Sequence, residues 1–134
     1  MSYKVEEIMD PDKLFYRIHI NDFREGEVMP GAFRERGSGD QKSMSTDWER
    51  YSSSIDSLNR ASNPEKNAIV SFVAGNLRGI GLEVRHSPIY APGDLHIDNR
   101  SHADVKPLGE NKAAKTRMRR KLLDQFVWEI KFQA

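Results

Sequence analysis

The run Ala68-Ile-Val-Ser-Phe-Val-Ala74, bounded by Asn67 and Gly75, is almost continuously apolar, the signature of a strand buried at the centre of a sheet. Several other segments read as its neighbours. Leu14 to Ile20 alternates Leu14, Tyr16, Ile18 and Ile20 against Phe15, Arg17 and His19, so His19 shares a face with Arg17. In Leu82-Glu-Val-Arg-His86, Leu82, Val84 and His86 lie on one side and Glu83 and Arg85 on the other, which puts His86 at the end of an inward-facing row. Ala103 to Lys106 reads as a further short strand. Ala32-Phe-Arg34 reads as another, after the Met29-Pro30-Gly31 turn. Phe126 to Phe132 also alternates, with Phe126, Trp128, Ile130 and Phe132 on one face.

Two helices accompany these strands. A single turn is expected through Asn76 to Ile80. Glu110 to Asp124 is rich in helix formers, with Ala114, Met118 and Leu122 on one stripe and Arg117, Arg120 and Lys121 largely opposite. Together these segments predict an α+β fold, a small, mostly antiparallel sheet with one main C-terminal helix packed on a face. Residues 1–134 are expected to form a single domain, with a loose excursion rich in Ser, Gly and Asn at about 36–67. Trp48 is expected to pin that excursion to the body. Within it, Met44-Ser-Thr-Asp-Trp48 reads as a loop, Ser45 or Asp47 capping a short helix.

The 21 basic and 20 acidic side chains leave a net charge of +1, which excludes a whole-molecule electrostatic drive toward nucleic acid or anionic membrane and leaves local patches. Absent cysteines exclude disulfides, thiolate nucleophiles and cysteine-bound zinc. No apolar run approaches membrane-spanning length, and the first residues lack the apolar core of a signal peptide. A cytoplasmic protein without a membrane partner is expected.

Three of the four histidines, His86, His96 and His102, fall in one stretch with Asp94, Asp98 and Asp104. Imidazole titrates near neutrality and carboxylates orient it, so such a cluster suits either proton transfer or metal ligation. Loop histidines and aspartates more often serve turns, so no metal and no cofactor is assigned. The competing arrangement joins His19, His86 and His102 as an acid–base set, with Arg34 or Lys106 holding a phosphate. Two imidazoles and a cation suffice to cleave RNA by attack of its own 2′-hydroxyl, without metal. Each histidine singly is better explained by a structural role. Six cations, Lys112, Lys115, Arg117, Arg119, Arg120 and Lys121, occupy ten residues of the last helix. They suit a polyanion backbone, an acidic partner or simply a solvated helix face. The glycines around Asn76 match neither the dinucleotide fingerprint nor the P-loop.

Taken in order, Tyr16-Arg-Ile-His19, Ala32-Phe-Arg34, Met44-Ser-Thr-Asp-Trp48, Val84-Arg-His-Ser-Pro-Ile89 and Asn99-Arg-Ser-His-Ala-Asp-Val105 resemble a group of small uncharacterised prokaryotic proteins. The resemblance covers most of the chain and implies no particular chemistry, though such proteins often lie beside mobile-element or defence genes. Tyr16-Arg17 near a first strand also resembles ADP-ribosyltransferase-like toxins, but no glutamate-bearing loop of that kind can be placed.

These features lead to one expectation and a rival. In the first, His19, Arg34, His86 and His102 line a cleft for RNA or another phosphate-bearing ligand, as in a metal-independent ribonuclease or toxin-like enzyme. His86 and His102 are then the catalytic pair with His19 orienting, Arg34 and Lys106 bind phosphate, and Arg117, Arg120 and Lys121 add attraction. In the rival, the chain is a non-catalytic interaction subunit of a defence or mobile-element complex, docking on a protein partner through its loose excursion and final edge strand.

Overall fold

The computed structural model describes residues 2–133. In chain order its strands are β1 (Lys13–His19), β2 (Phe23–Arg24), β3 (Glu27–Val28), β4 (Met44–Trp48), β5 (Asn67–Val73), β6 (Glu83–His86), β7 (His102–Lys106) and β8 (Val127–Ile130). The α-helices are α1 (Ser54–Asn59), α2 (Ala74–Gly79) and α3 (Lys112–Leu123). Six strands form one sheet in the order β6-β7-β4-β1-β5-β8, and every adjacent pair is antiparallel. The fold is α+β, with the one long helix near the C-terminus. β2 and β3 form a small hairpin whose two-residue turn places Glu25 at φ 53° and Gly26 at φ 80°, the left-handed pair such tight turns require.

The sheet's two faces divide the labour. One carries Leu14, Tyr16, Ile18, Met44, Trp48, Val70, Phe72, Val84, Ala103 and Val105, all buried in the core. Ile8 from the N-terminal segment, Phe33, Leu77 of α2 and Leu122 of α3 close over it. Burying a side chain the size of Phe or Leu contributes about 2 kcal/mol, so this face supplies most of the drive to fold. The other face carries Phe15 and Arg17 of β1, Ser45 and Asp47 of β4, and His102 and Asp104 of β7, as the register Phe15↔Asp47, Asp47↔His102 and Ser45↔Asp104 dictates. It is covered only in part, by α1 packed on β1, β5 and β8 and by the loop of residues 87–101.

Side-chain caps start α1 and α3. Ser53 Oγ accepts the Asp56 N–H at 3.0 Å to open α1, and Asn111 Oδ1 accepts the Ala114 N–H at 2.9 Å to open α3. In α3, Leu122 is buried and Met118 and Leu123 pack on the core, while Arg117, Arg120 and Lys121 face solvent. α2 begins where Gly75 N–H donates to Asp10 C=O at 2.8 Å, which ties the N-terminal segment to the end of β5.

Three local expectations change. Met44-Ser-Thr-Asp-Trp48 is neither loop nor cap but β4, paired on both sides, because Met44, Thr46 and Trp48 bury as an alternating row. Ala32-Phe-Arg34 is not a strand. The proline at the first helical position favours a 310 turn over Pro30–Ala32, and Phe33 then drops into the core. In β8, the register shift between Ile69 and Val70 pairs Val70 with Trp128 but Ile69 with Ile130. A bulge at Glu129 thus turns Ile130 away from the face of Trp128.

Candidate anion-binding site

A cavity of about 260 Å3 opens on the second face of the sheet, and four arginines, Arg17, Arg34, Arg36 and Arg60, line it. They come from β1, from the segment after the Pro30 turn, from the approach to β4 and from the end of α1, so only the folded chain assembles them. Phe15, Ser45, Asp47, Asn99, His102 and the loop residues Ile89, His96 and Ile97 complete the wall.

Asp47 organises the arginine side of the site. Its carboxylate is 4% exposed. Ser57 Oγ donates to Oδ2 at 2.6 Å and Asn99 Nδ2 to Oδ1 at 2.8 Å, with Ser101 Oγ at 3.2 Å from Oδ1. Arg60 stands 3.1 Å and Arg17 3.6 Å from Oδ2. Burial, the largest single influence, pushes the carboxyl pKa up, but the Ser57 and Asn99 hydrogen bonds and the charges of Arg60 and Arg17 outweigh it and hold the group below its ordinary value. Asp47 is therefore an anion that fixes two cations, while Arg17 also donates to Ser57 C=O at 3.0 Å.

Arg34 is placed from the core side. Tyr16 Oη donates to Ala32 C=O at 2.6 Å and accepts the Arg34 N–H at 3.2 Å, and Arg119 donates to Phe33 C=O at 2.7 Å. The Arg34 guanidinium pairs with Asp22 at 2.5 Å. Arg36 is held by its backbone alone, in a two-way bridge with Ser43 just before β4. Its exposed guanidinium has no carboxylate or carbonyl partner among the described residues. Four guanidiniums and one carboxylate, Asp47, line the cavity, while Asp22 pairs with Arg34 and Asp104 stands at the border, 3.9 Å from His102.

The histidines do not converge. His86 ends β6 opposite Ala103 and is buried on the core face, 4% exposed, between Trp48 and Tyr51. Its Nδ1 accepts the Glu6 N–H at 3.0 Å and its Nε2 lies 2.7 Å from Arg100 C=O, which takes up both ring nitrogens. His19 accepts the Asn21 N–H and caps the short 310 turn after β1, and it is not among the residues that line the cavity. Only His102 of the three lines the cavity, joined by His96. His102 Nδ1 lies 2.9 Å from Ser87 Oγ and 3.0 Å from Ser87 C=O, so Ser87 holds this side of the ring. Nε2 is 3.9 Å from Asp104, beyond hydrogen-bond reach. The expected pairing of His86 with His102 fails because residues one step apart in register point through opposite faces.

The remaining expected phosphate ligands also lie elsewhere. Lys106 is four residues along β7 from His102, roughly 13 Å at strand spacing, and borders separate shallow clefts beside Glu83 and Gly109. Arg117, Arg120 and Lys121 belong to α3, on the core side of the sheet. The loop aspartates do turn work: Asp94 accepts the His96 N–H, and Asp98 accepts the Ala91 N–H and the Tyr3 hydroxyl. Among the described residues, no group of three or more His, Asp or Glu could hold a metal ion. Sequence reasoning missed Arg36, Arg60 and the role of Asp47. The polar positions alternating with Met44, Thr46 and Trp48 were the signal that could have exposed Asp47. Compared with protein-family models, curated proteins and solved structures, the chain matches none.

Proposed function

We propose that the protein binds a phosphate-bearing ligand in this arginine cavity. The observation that carries the reading is the convergence of Arg17, Arg34, Arg36 and Arg60 on one cavity whose lining holds a single carboxylate, Asp47. Guanidinium forks match phosphate oxygens bidentately, and Asp47 presets two of them before any ligand arrives. No helix of the described residues is long and apolar enough to cross a membrane. A cytoplasmic location is part of the proposal and accords with a cysteine-free chain.

Metal-independent RNA cleavage is the second reading, favoured by two histidines, His96 and His102, lining the same cavity as the arginines. In that scheme His102 Nε2 takes the 2′-hydroxyl proton, the freed oxygen attacks the adjacent phosphorus, and His96 as an imidazolium protonates the departing 5′-oxygen. The arginines stabilise the added negative charge.

The binding reading is tested by thermal unfolding with increasing inorganic phosphate and short RNA. A ligand-dependent rise in Tm that Arg36→Ala diminishes supports it, since binding only the native state stabilises by mass action. No shift with either ligand overturns it. Cleavage is tested by incubating RNA with and without chelator. Activity that survives chelator and disappears in His102→Ala supports the second reading, and unchanged activity in that variant removes it.

A further inference from the structure

We propose that the ligand is a nucleoside phosphomonoester, its phosphate on the arginines and its base against Ile89 and Ile97. This rests on the phosphate reading above and narrows it. The first argument is charge. A phosphomonoester carries about −1.5 to −2 at neutral pH, whereas an internal phosphodiester carries a single negative charge. A lining of four guanidiniums against one carboxylate favours the more highly charged group.

The second argument is size and polarity. At about 260 Å3 the cavity lies just under the ~300–1,000 Å3 of sites that enclose drug-sized ligands, so it suits a small molecule but exceeds a bare phosphate. The loop of residues 87–101 adds two aliphatic side chains to a mainly polar lining. These two, Ile89 and Ile97, remain 37% and 54% exposed, and Leu95 on the same loop is 89% exposed. Single exposed aliphatics need no explanation, but three on one loop beside a cationic cavity provide a surface for a flat heterocycle. The exposed Ser45 hydroxyl and the His102 ring also line the cavity, polar groups suited to sugar hydroxyls. Arg36 can bond phosphate or stack on the base.

The source of such a group is either a free mononucleotide or the phosphorylated end of RNA. Both present the same terminal phosphate, sugar and base.

Calorimetric titration at constant ionic strength tests the assignment. The probes are the four 5′-mononucleotides, inorganic phosphate, ribose 5-phosphate, adenosine and a dinucleoside monophosphate that has only an internal diester. At least one mononucleotide should bind ten times more tightly than each other probe. Ile97→Ser, at an exposed position, should abolish that preference and leave phosphate affinity unchanged, while Arg36→Ala weakens every phosphate. Equal affinity for mononucleotide and inorganic phosphate, or an Ile97→Ser protein with its preference intact, overturns the nucleotide assignment while leaving phosphate binding standing. Failure of every phosphate to bind overturns both. A 5′-phosphorylated trinucleotide that binds at least as tightly as the mononucleotide identifies an RNA end, and weaker binding identifies the free nucleotide.

Discussion

His86 and His102 stand on neighbouring strands one register position apart, so one ring is sealed into the core and the other borders the cavity. The first has both nitrogens engaged by backbone and packs against Trp48 and Tyr51. Removing it leaves a void and an unmatched Glu6 N–H, a loss of about 3 kcal/mol. His86→Ala should lower the urea midpoint accordingly, while folded His86→Gln should bind phosphate as the parent does. A His86→Gln protein that remains folded but loses phosphate affinity would sink the separation of roles.

Asp47 neutralises Arg17 and Arg60 inside the fold. Asp47→Asn keeps the shape but strands the two guanidiniums, and breaking a buried pair in this way costs about 3 kcal/mol or more. Chemical denaturation should show that loss. Ser57→Ala, which removes one charge-assisted hydrogen bond to the same carboxylate, should cost about 1.5–3 kcal/mol.

The depressed pKa of Asp47 has a signed consequence. The unfolded carboxyl, at its ordinary 3.8, takes up a proton before the folded one does. Its contribution is therefore complete above that value and disappears as pH falls through the lower folded pKa. Denaturation of the parent and of Asp47→Asn across the acid range should give stabilities that differ most near neutrality and converge in acid. A gap that widens on acidification would reverse the sign.

Gly75 opens α2 against the N-terminal segment. A Cβ there would sit 2.9 Å from Asp10 Cβ and 3.1 Å from Asp10 C=O. Gly75→Ala should therefore destabilise by about 1–3 kcal/mol despite the better helix propensity of alanine. Amide exchange should show the N-terminal segment opening more readily in this variant. A variant of unchanged or higher stability would mean that the two segments separate at little cost.

The strands legible in the sequence were those whose own side chains set the pattern. β1, β5 and β6 announced themselves by alternation or apolar continuity, and α3 by its stripe. β4 was obscured because Ser45 and Asp47 interrupt a five-residue segment amid turn-forming neighbours, and only pairing with β1 and β7 reveals why they are there. The bulge at Glu129 likewise depends on the facing strand. Of the residues lining the cavity, Arg34 and His102 are the two that the sequence reading singles out as ligand-binding and catalytic candidates. Arg36 and Arg60 lie 24 residues apart, and nothing local to either indicates that a sheet face will bring both to one cavity. The histidines misled because closeness along the chain says nothing about which side of a strand each ring leaves.

The partition of the sheet into a packed side and a cavity side has an evolutionary corollary. Alternate residues of the same strand answer to different selection pressures. Ser45 can change with the ligand while Met44 and Thr46 continue to guard the fold, so descendants of this chain could acquire new specificities without relearning how to fold.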